Sequence, residues 1–374
     1  MKCIVVDAMG GDNGATPLIQ ACKKFHLENP TYKLVLVGDK NLFSSCGDEF
    51  EIVDAPDVVP MTAGALEVMR MKNSSMFKAI EYFKNNNADA VISCGSTGGF
   101  LSTATLSLKM IPGIKRAAFI TPFPTKIKGK KVVILDIGAS NENSPEELEQ
   151  FAIMGSCYAK AVFNITDPRT YILSNGTESG KGSPVGKQAY KLLCDNKKVN
   201  FAGNIEAREA LNGEADVIVS DGFTGNIFLK GCEGIAKMMS GMIKSAFKRN
   251  LWSKLGYLHV RKGITEMSET MDYKSTGGAM LLGVNGVVIK AHGNSDDYSF
   301  YCALNVAKKM IDNEIIEKIA EGFADINNTE AKSKILLAVY LSQAKEKISI
   351  SDKSKIATVC TDFKKWIDKN ELLP

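Results

Sequence analysis

Apolar residues in this chain gather in short unbroken runs rather than in strict alternation. Ten runs stand out: KCIVVDA (2–8), YKLVLVGD (32–39), FEIVDA (50–55), ADAVISC (88–94), RAAFITPF (116–123), KVVILDIGA (131–139), RTYILSNG (169–176), NFAGNI (200–205), ADVIVSDG (215–222) and GVVIKAHG (286–293). Continuous β-branched runs mark strands buried on both faces, and so a mostly parallel sheet. Helical patterns lie between them. The clearest start is NSPEELEQFAIMG (143–155), where Ser144 caps, Pro145 takes the first helical position and Glu147 closes a capping box. The pattern predicts an α/β fold, a mostly parallel sheet with crossover helices on both faces.

The runs end in polar, glycine-rich clusters: DAMGGDNG, CGSTGG, DIGASNEN, SNGTESGKG, GNIEARE, SDGFTGN and KAHGNSDD. Parallel sheets bind ligands at the carboxyl ends of their strands. The seven clusters are therefore expected to line one crevice along a single edge. CGSTGG (94–99) joins a strand to a helical pattern, which suits an anion held by backbone amides and a helix N-terminus. Ser96, Thr97, Gly98 and Gly99 supply the donors. The loop has neither the lysine of GxxxxGK[ST] nor the spacing of GxGxxG, so a nucleotide is not expected. Further anion contacts are expected from Arg70 and Lys72, with Ser74 or Ser75 capping the next helix, and from Lys181 between two glycines. His292, one of three histidines, sits at a strand end and is the general-acid candidate.

Composition narrows the choice. A net charge of +4 over 374 residues gives no reason to expect nucleic acid. No run reaches the ~18 apolar residues of a membrane span. The chain opens directly on a strand, and nine scattered cysteines fit free thiols, so a cytoplasmic protein is expected. HExxH, CxxC and GxSxG are missing, and neither a metal nor another cofactor is expected. An anion-binding crevice with a lysine and a histidine suits an anion attacking an acyl thioester. The segment 234–265 has no acidic residue and seven basic ones, with a Met- and Ile-rich helical stripe. Around Lys244, Lys248, Arg249, Leu251, Trp252 and Lys254 it suits an anionic membrane surface or an acidic carrier protein. Packing in a core or a dimer, with solvated lysines, fits the same stripe. From about residue 326 the chain lacks glycine and reads as helices of unknown role, which gives a domain over 1–325, two lobes around the crevice, and an extension over 326–374.

VDAMGGD (6–12), RMKNSSM (70–76), GSTGG (95–99), DIGA (136–139), PEELEQFAIMG (145–155), GKG (180–182), GNIEARE (203–209), DVIVSDGFTGN (216–226), YKSTGGA (273–279) and IKAHGNSD (289–296) occur in order. In these motifs the chain resembles the bacterial acyl-acyl-carrier-protein:phosphate acyltransferases, the PlsX family. The resemblance implies a fold like the isocitrate and isopropylmalate dehydrogenases, shared with phosphotransacetylases, and a homodimer. It implies acyl carrier protein as donor, inorganic phosphate as acceptor, and acyl phosphate passed to a membrane glycerol-3-phosphate acyltransferase for phosphatidic acid. Lys181 and His292 are expected to act on the tetrahedral intermediate or the departing thiolate, Asp221 and Asn226 to orient them or to receive a proton from phosphate, and Gly10, Gly11, Asp12, Asp136 and Asn204 to bind substrate. Ser140, Ala207 and the TAGALEV stretch before Arg70 depart from the family pattern. Three other functions stay open: a short-chain transferase using acetyl- or butyryl-CoA, an NAD-dependent dehydrogenase, and a non-catalytic lipid-regulatory scaffold.

Overall fold

The structure, a computed structural model, describes residues 1–324 apart from 47, 61, 64 and 272–275. The chain divides into two units, Met1–Ile319 and Ala320–Pro374. The extension expected over 326–374 and residues 273–275 of YKSTGGA lie outside the described residues.

Each apolar run forms a strand: β1 (Lys2–Asp7), β2 (Tyr32–Gly38), β3 (Glu51–Asp54), β4 (Ala90–Ser93), β5 (Ala118–Pro124), β6 (Lys131–Leu135), β7 (Arg169–Ser174), β8 (Asn200–Glu206), β9 (Val217–Val219) and β11 (Val287–Lys290). One more strand, β10 (Ala279–Leu282), was not expected. It is four residues long with none β-branched, so propensity alone does not reveal it.

The strands build one sheet in the order β3-β2-β1-β4-β11-β10-β5-β6-β9-β7-β8. From β3 to β11 the neighbours are parallel, and so are β6, β9, β7 and β8. Between these blocks β10 is antiparallel to β11 and to β5, and β5 is antiparallel to β6. Three reversals leave the two parallel blocks running in opposite senses. The fold is thus α/β and mostly parallel, but the expectation of seven clusters on one edge is corrected. The loop between β5 and β6 is closed by Thr125 N–H donating to Lys130 C=O at 3.1 Å. So short a connection permits only antiparallel pairing, since a parallel one needs a crossover of a dozen residues or more.

Helices α1 (Ala15–Glu28), α2 (Ala65–Arg70), α3 (Ser75–Asn85), α4 (Thr97–Leu108), α5 (Pro145–Phe163), α6 (Pro184–Asp195) and α9 (Asp297–Asp312) surround the sheet. The capping box of α5 is present: Glu147 N–H donates to Ser144 Oγ at 3.2 Å, and Ser144 N–H to Glu147 Oε2 at 3.1 Å. Val5, Val91, Phe100, Ile134 and Ile218 are fully buried in the core.

The remaining helices behave differently. α7 (Gly222–Lys248) buries only Gly222 and Gly225, at its root. A Cβ at Gly225 would lie 1.9 Å from Asp136 O, and one at Gly222 2.1 Å from Ser140 O. The first turn of α7 therefore rests backbone on backbone, which only glycine allows. Beyond its root α7 pairs with α8 (Leu251–Met271), with the rings of Phe247 and Tyr257 5.4 Å apart. The stripe read from the sequence is not packed in this chain's core: Met238, Met242, Leu251 and Trp252 are 56, 61, 70 and 80% exposed.

Candidate active site

A cleft of about 910 Å³ lies where the two blocks meet. Thr97, Gly98, Asn226, Lys290, His292 and Gly293 form its polar lining. Its apolar lining includes Pro122, Phe123 and Ile127 of the β5–β6 hairpin, with Leu229 and Ile235 of α7. β5 leads from one set to the other. Thr121 donates to Gly278 C=O beside the end of β11, and Pro124 lies three residues, about 10 Å, farther along the strand. The rings of Phe123 and Phe228 meet at 5.9 Å between the strand and α7.

The anion loop is built by β4 and α4. Ser96 is the N-cap of α4, and its buried hydroxyl accepts from Gly99 N–H at 3.3 Å. The Gly99 amide is therefore occupied, and the Ser96 side chain serves the helix rather than the cleft. Thr97 and Gly98 are exposed and line the cleft. They are the first two residues of the helix, whose amides have no partner within it, so an anion is offered these donors and the positive end of α4.

Behind the loop stands Asp7, fully buried. It accepts from Ser93 Oγ at 2.6 Å and Met9 N–H at 3.2 Å, and from Ser75. Ser74 caps α3, accepting from Phe77 N–H at 3.3 Å. Gly10, with φ +78°, packs against Gly95, where a Cβ would come within 3.1 Å of Gly95 Cα. Asp12 N–H donates to Gly293 C=O at 2.8 Å. Gly10, Gly11, Asp12, Ser74 and Ser75 thus build the wall that carries the anion loop and do not line the cleft.

Burial pushes the Asp7 carboxyl above the ordinary aspartate range, against the pull of Ser75, Ser93, the Met9 amide and Lys290. The folded state then holds this proton more tightly than the unfolded state does. Stability falls as pH rises from the unfolded value, about 3.9, through the raised folded one. Asp7→Asn cannot ionise. Its urea midpoint is expected to fall less than that of the wild type across this interval, and parallel profiles would contradict the assignment.

The second block contributes Gly138 and Asn226, which touch: a Cβ on Gly138 would lie 3.3 Å from Asn226 Nδ2. Asp221 caps α7, its Oδ1 accepting from Thr224 N–H and its Oδ2 from Thr224 Oγ1, both at 2.8 Å. Asp136 is buried and turned onto protein donors: the amides of Phe119, Gly138, Ala139 and Ser140, and the Ser140 hydroxyl at 2.8 Å. It shapes the loop rather than facing substrate. Ser140 also lies 2.8 Å from Asn143 Oδ1, and Asn143 Nδ2 donates to Glu147 Oε2 at 3.0 Å, which links Asp136 to α5.

Of the residues expected to act together, Thr97, Gly98, Asn226 and His292 meet in the cleft. Lys181 does not line it. It is exposed in the loop after β7, and β9 separates β7 from β6. Asn204 belongs to the same loop cluster, donating to Glu178 C=O at 2.8 Å. Arg70 and Lys72 are exposed and also lie off the cleft. Lys290, which sequence reasoning missed, does line it. It ends β11 within the same motif as His292, and only strand pairing reveals its place: Lys290 is level with Ser93, just before the anion loop.

The cleft joins the N-terminus of α4 and His292 to an apolar limb, an arrangement suited to an enzyme that transfers an acyl group to an anion. The family of fatty acid synthesis proteins matches residues 2–318, and a phosphate acyltransferase from an Exiguobacterium species is 41% identical over 326 residues, covering 84% of this chain and 97% of its own. The chain belongs to the phosphate acyltransferase family, and its acyl acceptor is phosphate. Two solved structures share the fold. A phosphotransacetylase from Streptococcus pyogenes has a TM-score of 0.52 at 19% identity, covering 86% of this chain and 94% of that one. A branched-chain phosphotransacylase from Enterococcus faecalis has a TM-score of 0.53 at 13% identity, covering 83% and 100%.

Proposed function

We propose that the protein moves a long acyl group from acyl carrier protein to inorganic phosphate, and that the acyl phosphate feeds phosphatidic acid synthesis through a membrane glycerol-3-phosphate acyltransferase. The apolar limb of the cleft carries this reading. A two-carbon acyl group would leave the surface of Phe123, Ile127, Leu229 and Ile235 unfilled, whereas each methylene of a long chain laid along it gains about 0.8 kcal/mol.

In the proposed reaction an oxygen of hydrogen phosphate, held at Thr97 and Gly98, attacks the thioester carbonyl carbon. The carbon–oxygen bond forms, the carbon–sulfur bond breaks, and thiolate leaves. Hydrogen phosphate gives up one proton and thiolate gains one, so acyl phosphate and thiol balance with no co-reactant. His292 carries that proton, and Asn226 faces the carbonyl oxygen. Cys94 stays out of the chemistry, because burial pushes its thiol up to about 12 and leaves almost no thiolate at neutral pH.

Two copies of the chain are proposed to pair, with the apex between α7 and α8 on an anionic membrane. No helix of the described residues is long and apolar enough to cross a membrane, so contact would be at the surface. The deciding experiment follows thiol release from long-chain acyl carrier protein and from acetyl-CoA, each with and without phosphate. Phosphate-dependent release from the carrier is expected to exceed that from acetyl-CoA. The reverse order would make the protein a short-chain transferase.

A further inference from the structure

Lys290 has an unusual setting for a lysine. It is the last residue of β11, beside β4 on one side and β10 on the other. Its side chain reaches over the end of β4, where the ammonium donates to Cys94 C=O at 3.3 Å and to Ala291 C=O at 2.5 Å. An ammonium has three donors. Two are used on carbonyls that flank the anion loop and the histidine loop, and the side chain lines the cleft between them.

The charges around it are of both signs. Asp7 and Asp12 favour the ammonium from behind, and Lys230 opposes it from α7. Lys230 itself is paired with Glu233 at 2.8 Å. Burial pulls the Lys290 pKa below the ordinary lysine value. A half-buried cation held by two neutral carbonyls, between a helix N-terminus and a second lysine, gains from an anion entering the cleft. Lys181 has no such setting.

We propose that Lys290 is the cation that binds phosphate in this site, presenting its third N–H to the phosphate oxygens while the amides of Thr97 and Gly98 hold them from the other side. The role rests on the reading of this cleft as the seat of acyl transfer to phosphate. Tethered by two carbonyls, the ammonium stays in place through the reaction and faces the charge that phosphate brings.

The test compares wild type, Lys290→Met, Lys290→Arg and Lys181→Met. A hydrogen bond to a charged group contributes enough that its loss should raise the phosphate KM about 10- to 150-fold in Lys290→Met. The acyl-donor KM should stay close to wild type, and Lys290→Arg should recover part of the loss. In binding alone, phosphate should raise the Tm of wild type and of Lys181→Met but not of Lys290→Met. A direct readout uses unmodified protein: inorganic phosphate should protect Lys290 from acetic anhydride, mapped by peptide mass spectrometry, even if Lys290→Met does not fold. An unchanged phosphate KM in Lys290→Met, or phosphate protection of Lys181 instead of Lys290, overturns the proposal. Failure of the acyl-transfer reading would show separately, as thiol release that ignores phosphate in the wild type, and the labelling experiment would still decide whether Lys290 binds the anion.

Discussion

Asp136→Ala is expected to remove a large part of the stability of the protein. The carboxylate accepts from four amides, those of the buried Phe119 and Ser140 and of the half-buried Gly138 and Ala139, at 2.9 to 3.1 Å, and from the Ser140 hydroxyl at 2.8 Å. Alanine leaves these donors facing a cavity. A buried donor without a partner costs about 1–3 kcal/mol, so the amides of Phe119 and Ser140 alone cost roughly 2–6 kcal/mol. A whole domain is stable by about 5–15 kcal/mol. Asp136→Asn keeps the shape but turns one acceptor into a donor, and should fall between alanine and wild type. Asp221→Ala is the control, because its carboxylate serves only the Thr224 cap on α7, and losing an N-cap costs about 1 kcal/mol. Urea unfolding of the three variants gives the order. Equal losses for Asp136→Ala and Asp221→Ala would mean that the Asp136 loop is not held as described.

The second large effect is expected at the apex of the α7–α8 hairpin. Leu251 and Trp252 are 70 and 80% exposed, and Lys248, Arg249 and Lys254 flank them in the sequence. Burying one such side chain gains about 1.5–3 kcal/mol, and each nearby basic residue adds about 1 kcal/mol on an anionic surface. Replacing Leu251 and Trp252 together by glutamate removes both apolar anchors and sets two negative charges against the lipid. Binding to vesicles rich in anionic lipid should fall at least about 10²-fold, with the oligomeric state unchanged. Co-sedimentation at low salt measures it. Equal sedimentation of the variant and the wild type, or none by either, would remove the membrane contact and leave acyl carrier protein as the partner of the basic apex.

Most strands were legible because a buried strand writes itself as a β-branched run, and the start of α5 was legible because a capping box is a local device. The antiparallel turn at β5–β6 was not. Direction depends on the six residues 125–130 being too few for a crossover, and Pro122 and Pro124 obscure where β5 ends. β10 was missed because Ala279–Leu282 draws its strand character from its neighbours β11 and β5. The same distinction divides the site. Thr97 and Gly98 follow from a strand–glycine–helix pattern confined to a few residues. Lys181 and Lys290 both stand beside a polar strand end, and nothing in their neighbours along the chain separates them. Which one reaches the cleft is decided by the position of β7 and β11 in the sheet. Asp136 and Asp221 also look alike as acidic residues before glycines, yet one supports a loop and the other caps a helix.

The root of α7 has a mechanical consequence. With 27 residues the helix is a rod about 40 Å long. Its fulcrum is the pair Gly222 and Gly225, pressed onto the backbone at Ser140 and Asp136. Asn226 sits one residue beyond the fulcrum, while the apex lies about 35 Å away. A swing that carries the apex about 5 Å therefore displaces Asn226 by only about 0.2 Å on a rigid rod. With Asn226 in its proposed place at the carbonyl oxygen, a tilt of the arm about this root would leave that contact almost unmoved.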